Sequence, residues 1–195
     1  YYQQGLLLEK EKKWTEALKA FEQAIELKPS ADAHNERGVI LAALGREKEA
    51  LAAFNKAIAL NPNHYPAYAN RALYFFDYGE LEKALKDAKK ALKINPDYRD
   101  ARFYYGATLA KMGKYDQALP IMYELVRLYP DFYKPYGVIG CSLANMGKKR
   151  QAIEYLQKAS QLEPKFKDMI FTHWDWPFVR ILFDDPELEE FLKSW

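Results

Sequence analysis

The stretch from Ala31 to Pro62, ADAHNERGVILAALGREKEALAAFNKAIALNP, decides the fold. Two apolar-periodic segments, 31–44 and 47–60, flank Gly45, and Pro62 follows the second. Glycine takes the left-handed backbone that ends a helix, and proline cannot continue one because it lacks the amide. The stretch therefore reads helix, turn, helix, stop.

Moving outward from it, the same punctuation recurs along the chain. Gly45, Gly79, Gly113 and Gly147 are spaced by 34, and so are Pro62, Pro96, Pro130 and Pro164, with Pro29 one residue closer to Pro62. Alanines at 17, 50, 84, 118 and 152 keep the same register, and a second small site runs through Gly5, Gly38, Ala72, Gly106 and Gly140. A fixed period of this length marks stacked supersecondary units. Within a unit the apolar positions recur about every 3.6 residues, as in Trp14, Ala17, Leu18, Phe21, Ala24 and Ile25, which is one face of an amphipathic helix. Helix pairs are predicted at 1–11 with 14–27, 31–44 with 47–60, 65–77 with 81–93, 98–112 with 115–128, and 132–146 with 149–161. Short connections make the two helices of a pair antiparallel neighbours. Small residues let helix axes approach, while Phe21, Phe54, Met122 and Leu156 fill the space between them. One pair alone cannot bury its apolar face; stacking removes that face from water at about 25 cal/mol per Å².

Leading aromatic, glycine, alanine, phenylalanine and proline in this order resemble the tetratricopeptide repeat family over about residues 1–164. The match is carried by Gly5, Ala17, Phe21, Ala24 and Pro29, by Gly38, Ala50, Phe54, Ala57 and Pro62, and by Gly140, Ala152, Ala159 and Pro164. The resemblance implies an all-α, right-handed superhelical solenoid of five antiparallel helix pairs, 1–29, 30–62, 63–96, 97–130 and 131–164. Ala88 and Met122 stand where the family has Phe, and Pro120 falls inside the second helix of the fourth unit, where a mild kink is expected. Residues 165–195 break the period and are rich in large aromatics, among them Phe166, Trp174, Trp176 and Phe191. They are expected to cover the open end of the stack, with Asp185 and Pro186 starting a short helix over 186–194. An exposed ligand-binding patch at Trp174 and Trp176 is the alternative.

Composition narrows the function. The chain has 195 residues, 49% of them hydrophobic, enough for a continuous core. Twenty-nine Lys and Arg against 27 Asp and Glu leave a formal charge of +2, far from the single-sign excess of a nucleic-acid binder. The basic clusters Lys12-Lys13 and Lys148-Lys149-Arg150 fall at turns, near helix carbonyl ends. No apolar run approaches the roughly 18 residues needed to span a bilayer. Neither nucleic acid nor membrane is expected as a partner. The single cysteine, Cys141, rules out an internal disulfide framework and reads as a small packing residue; a cytoplasmic, reducing compartment is slightly favoured, and an extracytoplasmic protein without bridges is the alternative. Position 1 is Tyr rather than Met, which leaves room for a signal, an anchor or a further domain upstream.

No sequence motif advertises catalysis. A phosphate loop, a nucleophile elbow and a kinase signature are all missing, and His34, His64 and His173 lie in separate repeats or in the tail. His173-Trp174-Asp175 has neither the helical pairing nor the Cys/His quartet of a metal site. No enzyme activity, cofactor or metal is expected.

The family resemblance implies instead a concave groove lined by the first helices, which receives a protein or peptide segment. Carried over by register, the inward set is Asn35, Val39 and Ala42; Ala69, Leu73 and Phe76; Phe103, Ala107 and Ala110; Gly137, Cys141 and Ala144. A polar rim follows from Asn70, Asp77, Tyr104, Lys111, Lys134 and Asn145. The candidate contacts are Asn35, Asn70, Leu73, Phe76, Phe103, Tyr104, Lys111 and Lys134, suited to a ligand with a few apolar anchors and backbone hydrogen bonds. The alanines and Gly137 read as packing between first helices; for Phe76, Phe103, Tyr104 and Asn70 packing and binding both stay open. Chaperone-binding members of the family clamp a C-terminal carboxylate with Lys, Asn, Asn, Lys and Arg. No window here has that set; the second, for example, supplies Asn35, Val39, Asn70, Asp100 and Tyr104. The remaining expectations are a self-assembling structural protein, joined through its N-terminal repeat, and a regulatory domain of a larger enzyme.

Overall fold

The computed structural model describes residues 1–166 and residue 190. Residues 1–166 form ten α-helices: α1 (Tyr2–Lys10), α2 (Trp14–Leu27), α3 (Ala31–Ala43), α4 (Glu47–Leu60), α5 (Tyr65–Asp77), α6 (Leu81–Ile94), α7 (Arg99–Lys111), α8 (Tyr115–Leu128), α9 (Tyr133–Asn145) and α10 (Lys149–Leu162). Each lies within about a residue of its predicted span because the punctuation residues act where their chemistry requires. Gly45, Gly79, Gly113 and Gly147 hold φ between +72° and +75°. At the first of these turns Gly45 N donates to Ala42 O at 2.9 Å and Arg46 N to Leu41 O at 2.8 Å, the paired bonds that satisfy the last carbonyls of a helix. The first turn is built identically without glycine: Lys12 has φ 58°, Lys12 N donates to Glu9 O and Lys13 N to Leu8 O. α8 runs as one helix through Pro120, which lies exposed in its second turn.

Helix starts are capped unequally. Ser30 Oγ accepts from Ala33 N at 3.1 Å to cap α3. At the start of α5 the buried His64 does the same through Nδ1, accepting from Ala67 N at 3.1 Å. That bond leaves the proton on Nε2, which donates to Asp32 Oδ1 at 2.9 Å.

The chain divides into two compact units, residues 1–104 and residues 105–195. In the first, α1 to α6 pack in succession, with the start of α7 against α5 and α6 through Ala69, Ala91, Ala101, Tyr65 and Tyr98. In the second, α8, α9 and α10 pack in succession. The antiparallel pairing shows in which residues meet. A Cβ placed on Gly5 would lie 2.7 Å from the Phe21 ring, one on Gly38 2.5 Å from Phe54, one on Gly106 2.5 Å from Met122, and one on Gly140 2.6 Å from Leu156. Each small residue admits the large one roughly equidistant across its turn. In the third pair both partners change together, to Ala72 and Ala88, and both are fully buried. The alanines at 17, 50, 84, 118 and 152 are likewise fully buried.

Arg71 ties three helices of the first unit. Its Nε and Nη2 donate to the two carboxylate oxygens of Asp87 on α6, at 2.6 and 2.9 Å, and Nη1 donates to Asn55 Oδ1 on α4 at 2.6 Å. The fork geometry of guanidinium makes such a bidentate pair possible.

Of the C-terminal segment, Phe166 is described. Its ring is fully buried, with an edge-on contact to Tyr133 at 5.9 Å in the second unit. The expected cap beyond it, with Trp174, Trp176 and the helix over 186–194, lies outside the described residues.

Candidate functional site

In the first unit, α3 and α5 bring together some of the residues that register places on the inner face and its rim. A cleft of about 260 Å³ is lined by Val39 and Ala42 of α3, Glu47 and Phe54 of α4, and Asn70, Leu73, Tyr74 and Asp77 of α5. Five of these, Val39, Ala42, Asn70, Leu73 and Asp77, follow from the first-helix register. Glu47, Phe54 and Tyr74 do not. Glu47 and Phe54 sit on a second helix, and Tyr74 follows Leu73 by one position, beyond the inner face that the register defines.

Beside the cleft the amides form a chain. Asn70 Nδ2 donates to Asn35 Oδ1 at 2.9 Å, and Asn35 Nδ2 donates to Glu36 Oε1 at 3.1 Å. Asn35 is buried and its side-chain oxygen holds Asn70; Asn70 is half-buried and borders the cleft. Phe76 and Phe103 keep only 5% and 4% of their surface, so the two rings support the inner face from below. They meet the half-buried Tyr104, Phe103 edge-on at 5.2 Å and Phe76 tilted at 6.3 Å. Lys111 and Lys134 are half-buried members of the second unit, on α7 and α9.

Acidic fields act locally in the first unit, around Tyr2, Glu36 and Tyr98. Partial burial raises the Glu36 carboxyl, opposed by the hydrogen bond from Asn35 and reinforced by the charges of Glu9 and Asp32. Burial, followed by the fields of Glu36, Asp32 and Glu9, pushes the Tyr2 phenol up to about 12. Tyr98 is likewise pushed up to about 12, by burial first and then by Asp100, Tyr65 and Glu36. Burial raises the Cys141 thiol far above its ordinary value, which keeps it protonated and unreactive as a nucleophile. Among the described residues, no three His, Cys, Asp or Glu side chains are arranged to hold a metal ion, and no helix is long and apolar enough to cross a membrane.

Family models described as tetratricopeptide repeat match residues 2–65, 65–98, 88–119 and 133–166. The chain belongs to the tetratricopeptide repeat family. Its fold class is accordingly the all-α tetratricopeptide solenoid of antiparallel helix pairs. TTC0263, a thermophilic tetratricopeptide protein of Thermus thermophilus, is similar over 93% of this chain and 97% of its own, at 22% identity and a TM-score of 0.70. YrrB, described as a tetratricopeptide protein with an unusual peptide-binding site, is similar over 95% and 91%, at 22% identity and a TM-score of 0.65. MamA is similar over 83% and 95%, also at 22% identity and 0.65. At that identity the likeness concerns the fold. No curated protein matches the sequence. As a tetratricopeptide array, the chain is a protein-interaction scaffold.

Proposed function

We propose that this tetratricopeptide scaffold binds an extended peptide segment of another protein along the inner faces of α3 and α5, and that binding rather than catalysis is its work. The observation that carries the reading is the cleft itself. Its floor is apolar, through Val39, Ala42, Phe54 and Leu73, and Asn70 stands at its edge as a donor and acceptor for peptide backbone. The volume of about 260 Å³ is below the roughly 300–1,000 Å³ that takes whole small molecules, so it suits one anchoring side chain. Tyr104, supported by Phe76 and Phe103, extends the surface toward α7; in the second unit, Lys111 and Lys134 are polar contacts on its own first helices. The peptide-binding site named for YrrB offers a precedent on a similar fold. Peptides selected from a random library against the full chain test the reading: Leu73→Ser and Asn70→Ala should each weaken them about tenfold with the helical signal intact. Peptides that ignore both changes and respond to Trp174 or Trp176 would move the site to the tail.

A second reading has its own observation. Leu7 is 61% exposed on α1, beside a cleft of about 490 Å³ lined by Leu6, Trp14 and neighbouring residues. Another copy of the chain stacking there would make a self-assembling scaffold. Sedimentation over a range of concentrations, with Leu7→Glu as the control, separates the two: a mass that stays monomeric in both proteins rules out assembly through α1.

A further inference from the structure

The cleft that anchors the proposed peptide carries a chemical signature beyond its apolar floor. Its lining includes two carboxylates, Glu47 and Asp77, and no basic side chain. Glu47 is the first residue of α4, half-buried, and its carboxylate makes no hydrogen bond or ion pair with any described residue. Beside these acids stand two tyrosine rings. Tyr74 stacks on Tyr78 with centroids 4.5 Å apart and planes 29° from parallel, and Tyr78 is 53% exposed. The Tyr78 phenol is raised, first by partial desolvation and then by the negative charges of Glu47, Tyr74 and Asp77, so both acids act on Tyr78 electrostatically.

The occupant follows from what each class of side chain would do there. A purely apolar anchor would strip water from Glu47 and return nothing to its charge, which is costly. An acidic one would add a third negative charge to the two that line the cleft. A long basic side chain satisfies every part of the site, because its methylene stem covers apolar surface while its head reaches carboxylates and ring faces.

We propose that this cleft takes one lysine or arginine side chain of the bound segment, with its stem on Val39 and Leu73 and its cation among Glu47, Asp77 and the Tyr74 and Tyr78 rings. The inference rests on the peptide-binding reading above and deepens it by naming the anchor. The partner is then a segment that presents a basic residue, not an acidic or purely apolar one.

The test uses the full chain immobilised against a random dodecapeptide library displayed on phage, followed by titration of synthetic peptides from the winners. The selected peptides should share a lysine or arginine. Replacing it with norleucine, which keeps the stem and removes the charge, should weaken binding about tenfold or more, and Glu47→Gln in the protein should do the same with helicity and melting temperature unchanged. Glu47→Lys should abolish binding, and affinity should fall as salt rises. Two outcomes overturn the proposal differently. Peptides that are lost with Leu73→Ser yet carry no basic residue, or tolerate both norleucine and Glu47→Gln, leave the groove standing and remove the cationic anchor. Peptides indifferent to Leu73→Ser, or no selected peptides at all, remove the groove reading and the anchor with it.

Discussion

Replacing Gly38 with alanine tests how the helix pairs close. The added Cβ would lie 2.5 Å from Phe54 Cε1, 2.7 Å from Cδ1 and 3.1 Å from Cζ, on a ring that is itself buried. Carbon atoms prefer about 3.5–4.0 Å, so the ring or the helix must retreat by about 1 Å. Overpacking of this kind costs about 1–3 kcal/mol, while alanine in place of glycine inside a helix returns about 1 kcal/mol. The net expected effect is destabilisation of about 0–2 kcal/mol. In a Phe54→Ala background the obstruction is gone, only the propensity gain remains, and Gly38→Ala should stabilise by about 1 kcal/mol. That double variant reproduces the pair found at Ala72 and Ala88. Urea denaturation of the four proteins, followed by far-ultraviolet circular dichroism, gives the coupling, expected at about 1–3 kcal/mol. If Gly38→Ala shifts the midpoint equally in both backgrounds, the close approach does not exist and the complementary small and large positions have another cause.

Three further outcomes follow from named contacts. Lys12→Gly should stabilise by about 0.5–1 kcal/mol, because Lys12 holds φ 58° where the other turns have glycine; an unchanged or lower melting temperature would contradict that strain. Asp87→Ala should cost about 2–3 kcal/mol, at or below the low end of the roughly 3–5 kcal/mol for breaking buried pairs, since Asp87 is 6% exposed but Arg71 is 20% exposed and keeps its bond to Asn55. A loss under about 0.5 kcal/mol in urea denaturation would show that Arg71 does not hold the three helices. Stability should also fall as pH rises between about 10 and 12, because Tyr98 stays protonated when folded and ionises near 10.0 when unfolded; its contribution is full below that window and lost across it. Tyr98→Phe should flatten the decline of melting temperature with pH, and an unaltered slope would assign the alkaline sensitivity elsewhere.

The helix boundaries are legible in the sequence because their determinants are local: a glycine that adopts positive φ, a proline that lacks an amide, and a 34-residue period that repeats both. Lys12 escaped that reading because its side chain gives no hint of a left-handed backbone; its distance of 33 residues from Gly45 was the available signal. In the sequence Ala88 reads as a departure from the family pattern and Ala72 as one more member of the small site, with nothing to link them. The contacts of Gly5, Gly38, Gly106 and Gly140 make them one compensated change. Register placed Val39, Ala42 and Leu73 on the inner face and Asn70 and Asp77 on its rim, and these five are among the residues around the cleft. It could not reveal that Phe76 and Phe103 are buried, because burial depends on how Tyr104 and its neighbours cover them. Nor could it reach Glu47 and Phe54, which come from the second helix of a repeat and enter the site only through packing. Asp87 was hidden for the same reason, as one acid among many charges on α6 until Arg71 folds against it.

The central claim is that the inner face of α3 and α5 holds a peptide, and the most direct measurement is isothermal titration of a library-selected peptide into the wild-type chain and into Leu73→Ser. Wild type should bind with one peptide per chain, and Leu73→Ser should weaken binding about tenfold while its circular dichroism spectrum and melting temperature stay those of the wild type. Equal affinity for the two proteins would contradict the account.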